Sequence, residues 1–296
     1  MKNLIDIKSL SNEEILKITE LAEKFENNKA KSTCQGKHLA LIFSESSTRT
    51  RFSFEMASNK LGVYLYNFDE EHSSVMEGES LEDTIKNLEA IGIDGVVIRH
   101  PEAGIVKRLA MSLNSNIKII NGGDGANSHP TQALLDFYTI KNHLKTLENK
   151  KIAIIGDILH SRVAKSNIEL LNRFGAKLTL CAPEYFQTKK IEGDWTDKLS
   201  VALEDADVAM FLRSKKERIE QHVRLEEYIE HYGLTRQEIH SFAKPNIMIM
   251  HPGPVNRDIE ISSDLLDSDI CKPILEQAKN GVFVRMAILD MLFSSK

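Results

Sequence analysis

Four arginines of the sequence stand at or just beyond the ends of short apolar runs that are typical of buried strands. A guanidinium group is planar and always charged, and it binds phosphate or carboxylate through two parallel hydrogen bonds. Because parallel α/β sheets bind ligands outside the carboxyl ends of their strands, this shared position predicts a crevice for a polyanionic ligand. Taken singly, each arginine can also be structural, and one lies in the basic run RSKKER, a pattern typical of a solvated surface. The four are Arg49, Arg99, Arg162 and Arg213.

The first arginine belongs to the segment Ser47-Thr-Arg-Thr-Arg51, which follows the apolar run 38–43 and should open a helix. The N-terminus of a helix offers unpaired N–H groups and a positive dipole end to an anion. An anion there could also accept hydrogen bonds from the guanidinium group of Arg49 and from the hydroxyl groups of Ser47, Thr48 and Thr50. On spacing alone, an ordinary Ser/Thr helix cap followed by two solvated arginines explains the segment equally well.

Two glycine- and proline-containing segments also follow predicted strands. In the first, 122–132, glycines let the backbone approach a ligand, while Pro130 at the first helical position puts His129 at the cap and Gln132 one turn on. A single histidine at such a place is more often structural than catalytic. The second segment is His251-Pro-Gly-Pro-Val-Asn-Arg257, which ends the run 247–250 and can also be structural.

Several well-known signatures are missing from the sequence. A phosphate-binding G-x-x-x-x-G-K-[ST] loop does not occur, since Gly36-Lys37 is followed by His38 and lacks the earlier glycine. The run that ends at Ile155 is followed by one glycine, Gly156, where a dinucleotide fingerprint needs three. The H-E-x-x-H and protein-kinase motifs are also missing. A bound phosphate would therefore be held largely by side chains such as Arg49.

Apolar runs and helical patterns alternate along the chain, which predicts parallel sheets covered by helices on both faces. The predicted strands are 38–43, 63–68, 95–98, 117–120, 152–155, 178–181, 208–212 and 247–250. Predicted helices cover about 11–25, 49–60, 80–91, 103–113, 130–145, 163–174, 235–243 and 272–293. The fold class is therefore α/β, with two doubly wound parallel-sheet domains and the active site in the cleft between them.

The polar segment 141–151 marks the predicted domain boundary, which gives domains at 1–140 and 150–272. The last helix, within 273–296, is apolar on more than one face, so we expect it to pack back on the first domain.

Length and composition agree with a two-domain globular protein. The chain has 296 residues, and domains average about 150 residues. Hydrophobic residues make up 42% and charged residues 27%, which excludes a disordered, collagen-like or membrane protein. The net charge of −5 gives no general reason to bind nucleic acid or an anionic membrane surface.

Three widely spaced cysteines without a C-x-x-C pair fit a reducing compartment, and they cannot build a disulfide framework or a zinc site. The start of the chain has no apolar signal core, and no apolar run approaches the ~18 residues needed to span a bilayer. We therefore predict a cytoplasmic protein without a membrane segment.

At the motifs above, the chain resembles the aspartate/ornithine carbamoyltransferase family over essentially its whole length. Ser47-Thr-Arg-Thr-Arg51 resembles the family's carbamoyl phosphate signature, and His129-Pro-Thr-Gln132 resembles its second motif. The loop His251-Pro-Gly-Pro254 is similar to the aspartate branch, because the ornithine branch has a cysteine-containing H-C-L-P loop there. The aspartate branch is likewise favoured by the segment Gly156-Asp-Ile-Leu-His-Ser-Arg-Val163. Several separate motifs in the family's order make the match specific.

The resemblance implies a transferase that moves the carbamoyl group of carbamoyl phosphate to the α-amine of L-aspartate, in the de novo synthesis of pyrimidines, without a metal or cofactor. It also implies that domain 1–140 binds carbamoyl phosphate and that domain 150–272 binds aspartate. The implied donor-binding residues are Ser47, Thr48, Arg49, Thr50, Arg99, His129 and Gln132, and the last five of these are also implied to be catalytic. The implied aspartate-binding residues are Arg162, Arg213, Lys215, Pro252 and Gly253.

Two positions depart from the family. Family members carry a loop S-x-x-x-K-G-E-[ST], whose serine and lysine reach the neighbouring subunit's site. Here Ser73 matches the serine, but Glu77 stands in place of the lysine, which reverses the sign of that charge. The family's glutamine two residues past the second aspartate-binding arginine is Lys215.

Three explanations of Glu77 stay open. The enzyme is active but impaired, or Lys215 or a shifted loop restores the lost positive charge, or the acceptor is a different amine that carries a cation. A further alternative is a weakly active or non-catalytic homologue that serves as a subunit scaffold, although the retained donor motifs argue against it.

The resemblance also bears on partners. Because Ser73 would act across a subunit boundary, it implies at least a homotrimer. Regulatory chains or a dihydroorotase as additional partners stay open, and we predict no nucleic-acid or membrane partner.

Overall fold

The computed structural model of the chain describes residues 1–68 and 78–294, and Ser73 and Glu77 lie outside these residues. The chain forms two compact units. Unit 1 comprises Met1–Tyr138 and Ala278–Lys296, and unit 2 comprises Thr139–Gln277.

Unit 1 contains a four-stranded parallel sheet with the strand order β2-β1-β3-β4. The strands are β1 (His38–Phe43), β2 (Tyr64–Phe68), β3 (Gly95–His100) and β4 (Lys118–Asp124). The helices that begin in this unit are α1 (Asn12–Glu26), α2 (Thr48–Leu61), α3 (Leu81–Ala90), α4 (Ile105–Ser112) and α5 (Pro130–Leu144). From β1 the chain goes first to β2 on one side and then to β3 on the other, so the order reverses between β1 and β3. Ligands of open α/β sheets bind at such a switch point.

Unit 2 repeats this architecture with five parallel strands in the order β7-β6-β5-β8-β9. The strands are β5 (Lys151–Ile155), β6 (Lys177–Cys181), β7 (Asp194–Thr196), β8 (Val208–Phe211) and β9 (Met248–Met250). The helices are α6 (Arg162–Arg173), α7 (Leu199–Leu203), α8 (Lys216–Ile219), α9 (Leu225–Tyr232), α10 (Arg236–Phe242) and α11 (Ser263–Leu266). The switch point lies between β5 and β8.

The last helix, α12 (Lys272–Ser294), is 23 residues long, and the unit boundaries fall within α5 and α12. Apolar side chains of α12 such as Ile288, Leu289 and Leu292 are fully buried. Among the residues 1–68 and 78–294, no helix combines the length and the apolar composition that a membrane crossing requires.

The α/β prediction is confirmed, and both sheets are parallel throughout. The eight predicted strands are present. Apart from β2, whose side chains are largely exposed, their runs are short, apolar and mostly buried. The prediction missed β7 and the short helices α7, α8, α9 and α11, whose sequences are too short or too polar to show a clear period.

The end of the fourth strand was predicted too early. Gly122 and Gly123 belong to β4, although the predicted strand ended at residue 120. A Cβ atom on Gly122 would lie 3.1 Å from Val97 Cγ1 and 3.2 Å from the Ile98 carbonyl oxygen. The glycine is therefore needed for the close approach of β4 to β3.

Candidate active site

The carboxyl ends of β1 and β3 form the switch point of unit 1. Phe43 is paired with Arg99 across the two strands, and the N–H of Ser44 donates to the carbonyl oxygen of Arg99 at 2.9 Å. The segment that leaves β1 therefore starts beside Arg99, as the sequence predicted for strand ends in one sheet.

Helix α2 follows this segment, and Ser47 is its N-cap. The Ser47 hydroxyl accepts a hydrogen bond from the N–H of Thr50 at 3.3 Å, and Thr50 is buried. The first turn contains Arg49 and Arg51 but no acidic residue. Acidic residues are stabilising at this positive dipole end and basic residues are not, so arginines here favour a site for an anion.

The environment of Arg49 is partly buried, and this burial lowers the pKa of its guanidinium, although the nearby Asp136 carboxylate acts in the opposite direction. The second arginine, Arg99, has a side chain that is only 14% exposed. Its Nη1 atom donates to the Gly122 carbonyl oxygen at 3.1 Å, and its Nε atom lies 3.7 Å from Glu45 Oε2. Both guanidinium groups are thus held by protein contacts in a partly desolvated place.

The segment between β4 and α5 is organised by Asp124, a fully buried carboxylate. Asp124 accepts hydrogen bonds from the N–H groups of Gly104 at 2.8 Å and Ser128 at 3.1 Å, and from Asn127 Nδ2 at 2.9 Å. These contacts fix the residues that immediately precede His129.

His129 is buried, and its carbonyl oxygen accepts the N–H groups of Gln132 and Ala133, so it caps α5. Pro130 is the first residue of the helix, which confirms the predicted helical positions. Gln132 is also buried, and its Nε2 atom donates to Asp136 Oδ1 at 2.9 Å. The side chains that open α5 are therefore held in fixed orientations.

The switch point of unit 2 is built from the ends of β5 and β8, where Ile155 is paired with Phe211. After β5, Asp157 is almost fully buried and accepts hydrogen bonds from Arg218 Nη1 at 3.0 Å and from the His160 backbone N–H at 3.1 Å. The His160 ring atom Nδ1 lies 2.9 Å from the same carboxylate. Asp157 thereby fixes the segment that leads into α6.

Helix α6 starts at Arg162 behind its N-cap Ser161, whose hydroxyl accepts from the N–H of Ala164 at 3.1 Å. As in α2, the first turn contains arginine and no acid. The two helices that follow β1 and β5 thus share a sequence feature that α1 and α3, with Glu13, Glu14, Glu82 and Asp83 in their first turns, do not have.

A second buried carboxylate, Glu260, organises the segments that follow β8 and β9. It accepts hydrogen bonds from the N–H of Ser214 at 2.8 Å and from Asn256 Nδ2 at 2.7 Å. Arg213 and Lys215 flank Ser214, and both side chains are exposed. Glu260 therefore anchors the backbone that presents two exposed cations.

The loop after β9 is ordered by His251, which is fully buried. Its Nδ1 atom accepts from the N–H of Gly253 at 2.8 Å, so the ring proton is on Nε2, which lies 3.4 Å from Glu260 Oε2. Pro252 and Gly253 are partly exposed at the tip of this loop. Since β9 pairs with β8, this loop and the Arg213 segment leave neighbouring strands of one sheet.

Each unit thus collects its own share of the predicted residues at one sheet edge. Unit 1 brings together the segment Ser47–Thr50, Arg99, His129 and Gln132, and unit 2 brings together Arg162, Arg213, Lys215, Pro252 and Gly253. Their roles as ligands of substrates stay predictions, as does the predicted cleft that unites the four arginines. In the described part of the chain, no group of three or more His, Cys, Asp or Glu is placed to hold a metal ion.

The sequence did not single out the buried charged residues that support these sites. For two of them a local signal exists: Glu260 stands between the buried Ile259 and Ile261, and Arg285 stands in the otherwise apolar stretch of α12. A charge surrounded by apolar neighbours in sequence is a sign of a buried polar contact. The residues concerned are Asp124, Asp136, Asp157, Glu260 and Arg285.

Two family models match the chain. Residues 2–142 match the aspartate/ornithine carbamoyltransferase, carbamoyl-P binding domain, and residues 148–292 match the aspartate/ornithine carbamoyltransferase, Asp/Orn binding domain. Together they span nearly the whole chain.

Individual relatives extend this similarity. The aspartate carbamoyltransferase catalytic subunit of Legionella pneumophila (strain Lens) is 44% identical over 300 residues, which cover 100% of each chain. The solved catalytic subunit of M. jannaschii aspartate transcarbamoylase is 35% identical with a TM-score of 0.85, and covers 99% of this chain and 98% of its own. The Trypanosoma cruzi aspartate transcarbamoylase in complex with carbamoyl aspartate and phosphate is 30% identical with a TM-score of 0.83, at coverages of 98% and 94%.

Proposed function

The chain belongs to the aspartate/ornithine carbamoyltransferase family, and we propose that it transfers the carbamoyl group of carbamoyl phosphate to the α-amine of L-aspartate. The products are N-carbamoyl-L-aspartate and phosphate, and the reaction belongs to the synthesis of pyrimidines. The choice of aspartate is supported by full-length relatives with that activity in their names, and by the His251-Pro-Gly-Pro254 loop.

One structural observation carries the proposal. In each unit, the helix that follows the first switch-point strand has an arginine and no acid in its first turn, namely α2 with Arg49 and α6 with Arg162. A second arginine, Arg99 or Arg213, stands at or just beyond the end of the neighbouring strand. This is the placement expected for two anionic substrates, and carbamoyl phosphate and aspartate are both anions.

We assign the donor to unit 1. Ser47, Thr48, Arg49 and Thr50 bind the phosphate group through hydroxyl groups, backbone N–H groups and a guanidinium group. Arg99, His129 and Gln132 bind the carbamoyl group, whose carbonyl oxygen gains negative charge during the reaction. Support comes from the burial of Thr50, His129 and Gln132, which strengthens such electrostatic contacts by excluding water.

We assign the acceptor to unit 2. Arg162 and Arg213 bind the two carboxylates of aspartate, and Lys215, Pro252 and Gly253 complete its site. The exposed Arg213 and Lys215 are attached to a backbone that Glu260 anchors, so their positions are defined although their side chains meet solvent.

The chemistry needs little beyond these contacts. The unprotonated α-amine of aspartate attacks the carbamoyl carbon and a tetrahedral intermediate forms. The bond to phosphate then breaks with its electron pair leaving on phosphate, and the departing phosphate takes the proton that the amine loses. Because phosphate is already a good leaving group, a covalent nucleophile is unnecessary. Orientation of the two substrates and cations near the developing negative charges supply the rate enhancement.

For the assembly, we propose a homotrimer in which Ser73 and Glu77 act in the site of a neighbouring subunit, as the resemblance implies. Unit 1 carries exposed large apolar side chains, which supports burial against a further copy of the chain. They are Phe52 and Met56 on α2, and Tyr64 and Tyr66 on the edge strand β2. A cytoplasmic location is supported by three cysteines that are all free and buried.

The sequence favours one alternative acceptor class. With Glu77 in place of the family's lysine, an amine that carries a cation would meet a carboxylate at the position where the family presents an ammonium group to aspartate. Ornithine and putrescine represent this class. If instead Glu77 only weakens the reaction with aspartate, replacing it by lysine increases the formation of carbamoyl aspartate.

The test is an acceptor profile. The purified protein is incubated with carbamoyl phosphate and either aspartate, ornithine or putrescine in metal-free buffer, and carbamoylated product is measured. We expect carbamoyl aspartate as the main product. Carbamoylation of a diamine alone would select the alternative acceptor, and the absence of every product would favour a non-catalytic scaffold.

A further inference from the structure

A buried pair of opposite charges lies directly behind the donor residues of unit 1. Arg285 on α12 is 2% exposed and is the one buried arginine among the residues described, while Asp136 on α5 is fully buried. Burying a charge is costly unless it is paired and hydrogen-bonded, so this pair needs an explanation beyond packing.

Arg285 contacts both helices that carry the donor residues. Its Nη2 atom lies 3.3 Å from Thr131 Oγ1, in the first turn of α5 between His129 and Gln132. Its guanidinium carbon lies 5.1 Å from the centroid of the Phe54 ring, which is fully buried on α2. One guanidinium group therefore sets the first turn of α5 against α2.

The helix that carries Arg285 makes room for it with a glycine. Arg285 Nη1 donates to the carbonyl oxygen of Gly281 at 3.1 Å. A Cβ atom on Gly281 would lie 2.6 Å from that same Nη1 and 3.2 Å from Leu135 Cδ2. Glycine weakens a helix, so its presence one turn before Arg285 has a packing reason, namely the fixed position of the guanidinium group.

Asp136 connects this pair to a donor residue. Its Oδ1 atom accepts the hydrogen bond from Gln132 Nε2 at 2.9 Å. Burial lowers the pKa of both Arg285 and Arg49, and the nearby Asp136 carboxylate opposes part of this lowering. Burial lowers the pKa of Arg285 to about 9, so the side chain keeps its charge at neutral pH.

A carboxylate beside Gln132 decides which end of its amide meets the ligand. An ionised carboxylate only accepts hydrogen bonds, so the amide must turn its NH2 group toward Asp136. The carbonyl oxygen, Oε1, is then the end available to a ligand, and it accepts hydrogen bonds. The carbamoyl group of the proposed donor carries an NH2 that can donate to it.

We propose that Asp136 and Arg285 are positioning residues for carbamoyl transfer, Asp136 by fixing the amide of Gln132 and Arg285 by holding the first turn of α5 against α2. The proposal rests on the proposed function, because it assumes that Gln132 meets the carbamoyl group. It differs from a structural role in one respect: the orientation of the carbamoyl group depends on the pair through the hydrogen bond to Gln132, while the phosphate contacts at Ser47–Thr50 meet the pair only through the charge of Asp136 near Arg49.

The decisive variant is Asp136→Asn. Asparagine has nearly the same size, but its amide can donate as well as accept, so Gln132 is no longer held in one orientation. We expect kcat to fall about 100-fold, the effect of a misplaced reacting group. The inhibition constant of inorganic phosphate, measured in competition with carbamoyl phosphate, should not rise by more than about threefold, because the anion contacts are retained and the loss of a negative charge near Arg49 does not weaken anion binding.

A second variant, Gly281→Ala, tests Arg285 without removing its charge. Alanine favours the helix, but its Cβ displaces the guanidinium group from Thr131. We expect kcat to fall about 10-fold while the inhibition constant of phosphate stays within about threefold of the wild-type value. The midpoint of thermal unfolding should also fall, because the added Cβ displaces the buried guanidinium group and meets Leu135.

The matched control is Asp290→Asn, which alters a buried acid on the same helix. Asp290 accepts hydrogen bonds from the backbone N–H of Thr33 at 2.7 Å and from the Thr33 hydroxyl group at 2.9 Å. Within residues 1–68 and 78–294, none of its hydrogen bonds is to a residue that we assign to carbamoyl phosphate. This variant should unfold at a lower temperature with kcat within about twofold of the wild type.

The outcomes separate cleanly. The inference is overturned if Asp136→Asn keeps the wild-type kcat, if its kcat and phosphate affinity fall by the same factor, or if Gly281→Ala keeps the wild-type kcat. Should Asp136→Asn not fold, Gly281→Ala decides. A wild-type protein without carbamoyl transfer would refute the proposed function itself, which is a different result from an active wild type with unaffected variants.

Discussion

The two units use the same device at the amino ends of their central strands. In unit 1, Asp94 precedes β3, accepts the N–H of His38 at 2.8 Å and lies 2.7 Å from Lys37 Nζ. In unit 2, Asp207 precedes β8, accepts the N–H of Lys151 at 3.0 Å and lies 3.2 Å from Lys244 Nζ. Each aspartate therefore ties the start of its own strand to the start of the neighbouring strand across the switch point.

At the carboxyl ends of the same strands, the units differ. In unit 1, three of the seven predicted site residues are buried, namely Thr50, His129 and Gln132, and the Arg99 side chain is only 14% exposed. In unit 2, Arg213 and Lys215 are exposed, and buried carboxylates hold the backbone around them instead of the cations themselves.

This difference indicates which unit mainly sets the rate of the reaction and which unit mainly sets the affinity for aspartate. Shared residues at the amino edge maintain the fold, whereas divergent residues at the carboxyl edge face the ligands. A buried, preorganised group gives the strongest stabilisation of the charge that develops in the transition state, whereas an exposed group contributes mainly to the affinity for the substrate. We therefore expect unit 1 substitutions to act on catalysis and unit 2 substitutions to act on the KM of aspartate.

The largest effect is expected for Arg49→Ala. Losing a cation at the phosphate and carbonyl oxygens should lower kcat/KM for carbamoyl phosphate about 10²- to 10³-fold. The control is Arg51→Ala, since Arg51 lies two residues on in α2 and its guanidinium carbon stacks 5.3 Å from the Phe43 ring centroid. Steady-state kinetics measure both. Equal losses in the two variants would remove the special role of Arg49.

The counterpart in unit 2 is Arg213→Ala. A charge-assisted hydrogen bond to a carboxylate at an exposed site contributes about 2 kcal/mol, so the KM of aspartate should rise about 30-fold. The KM of carbamoyl phosphate should stay near its wild-type value. Arg224→Ala, an exposed arginine at the start of α9, serves as the control. A fall in kcat without a change in the KM of aspartate would contradict the assignment.

The sequence predicted the parts of this comparison that depend on local pattern. The strands, the helix cap at Ser47 and the arginines at strand ends follow from apolar runs and from helix-start signals within a few residues. These features are written in short segments, so one chain without relatives is enough to find them.

The buried charges could not be predicted in the same way, because their partners are far apart in the chain. Glu260 meets Ser214 46 residues away, and Arg285 meets Thr131 154 residues away. No local pattern encodes such contacts, and only the folded sheet order brings them together. The same applies to Gly122, because its close packing against β3 could not be read from the sequence.

A smaller effect, on stability alone, is expected at the amino edge of unit 2. Asp207→Asn keeps an acceptor for the Lys151 N–H but loses the attraction to Lys244, which should lower the free energy of unfolding by about 1 kcal/mol. Asp94→Asn should have a similar effect in unit 1. Neither variant should change a KM by more than about twofold, since both residues lie at the edge opposite to the predicted sites.

The pH dependence of this effect has a defined sign. Burial tends to raise the pKa of Asp207, but the hydrogen bonds from the Lys151 N–H and Lys244 outweigh it and leave the pKa below its ordinary value. A lowered pKa stabilises the folded state above the unfolded pKa of about 3.9, and this stabilisation is lost as the pH falls through the folded pKa. Urea unfolding should show a constant difference between variant and wild type from about pH 5 to 8 that shrinks below about pH 4. A difference that persists at low pH would contradict this account.

The smallest effect tests whether unit 2 has replaced a missing cation. Lys215 is exposed two residues beyond Arg213, where the family carries glutamine, and an exposed charge contributes about 0.5 kcal/mol. If Lys215 attracts the acceptor carboxylates, Lys215→Gln should raise the KM of aspartate about twofold at low ionic strength, and added salt should abolish the difference. Lys216→Gln, the exposed neighbour that begins α8, is the control. An unchanged or lower KM in Lys215→Gln would show that aspartate binding in unit 2 depends on Arg162 and Arg213 alone. It would also show that Lys215 does not compensate for the negative charge of Glu77.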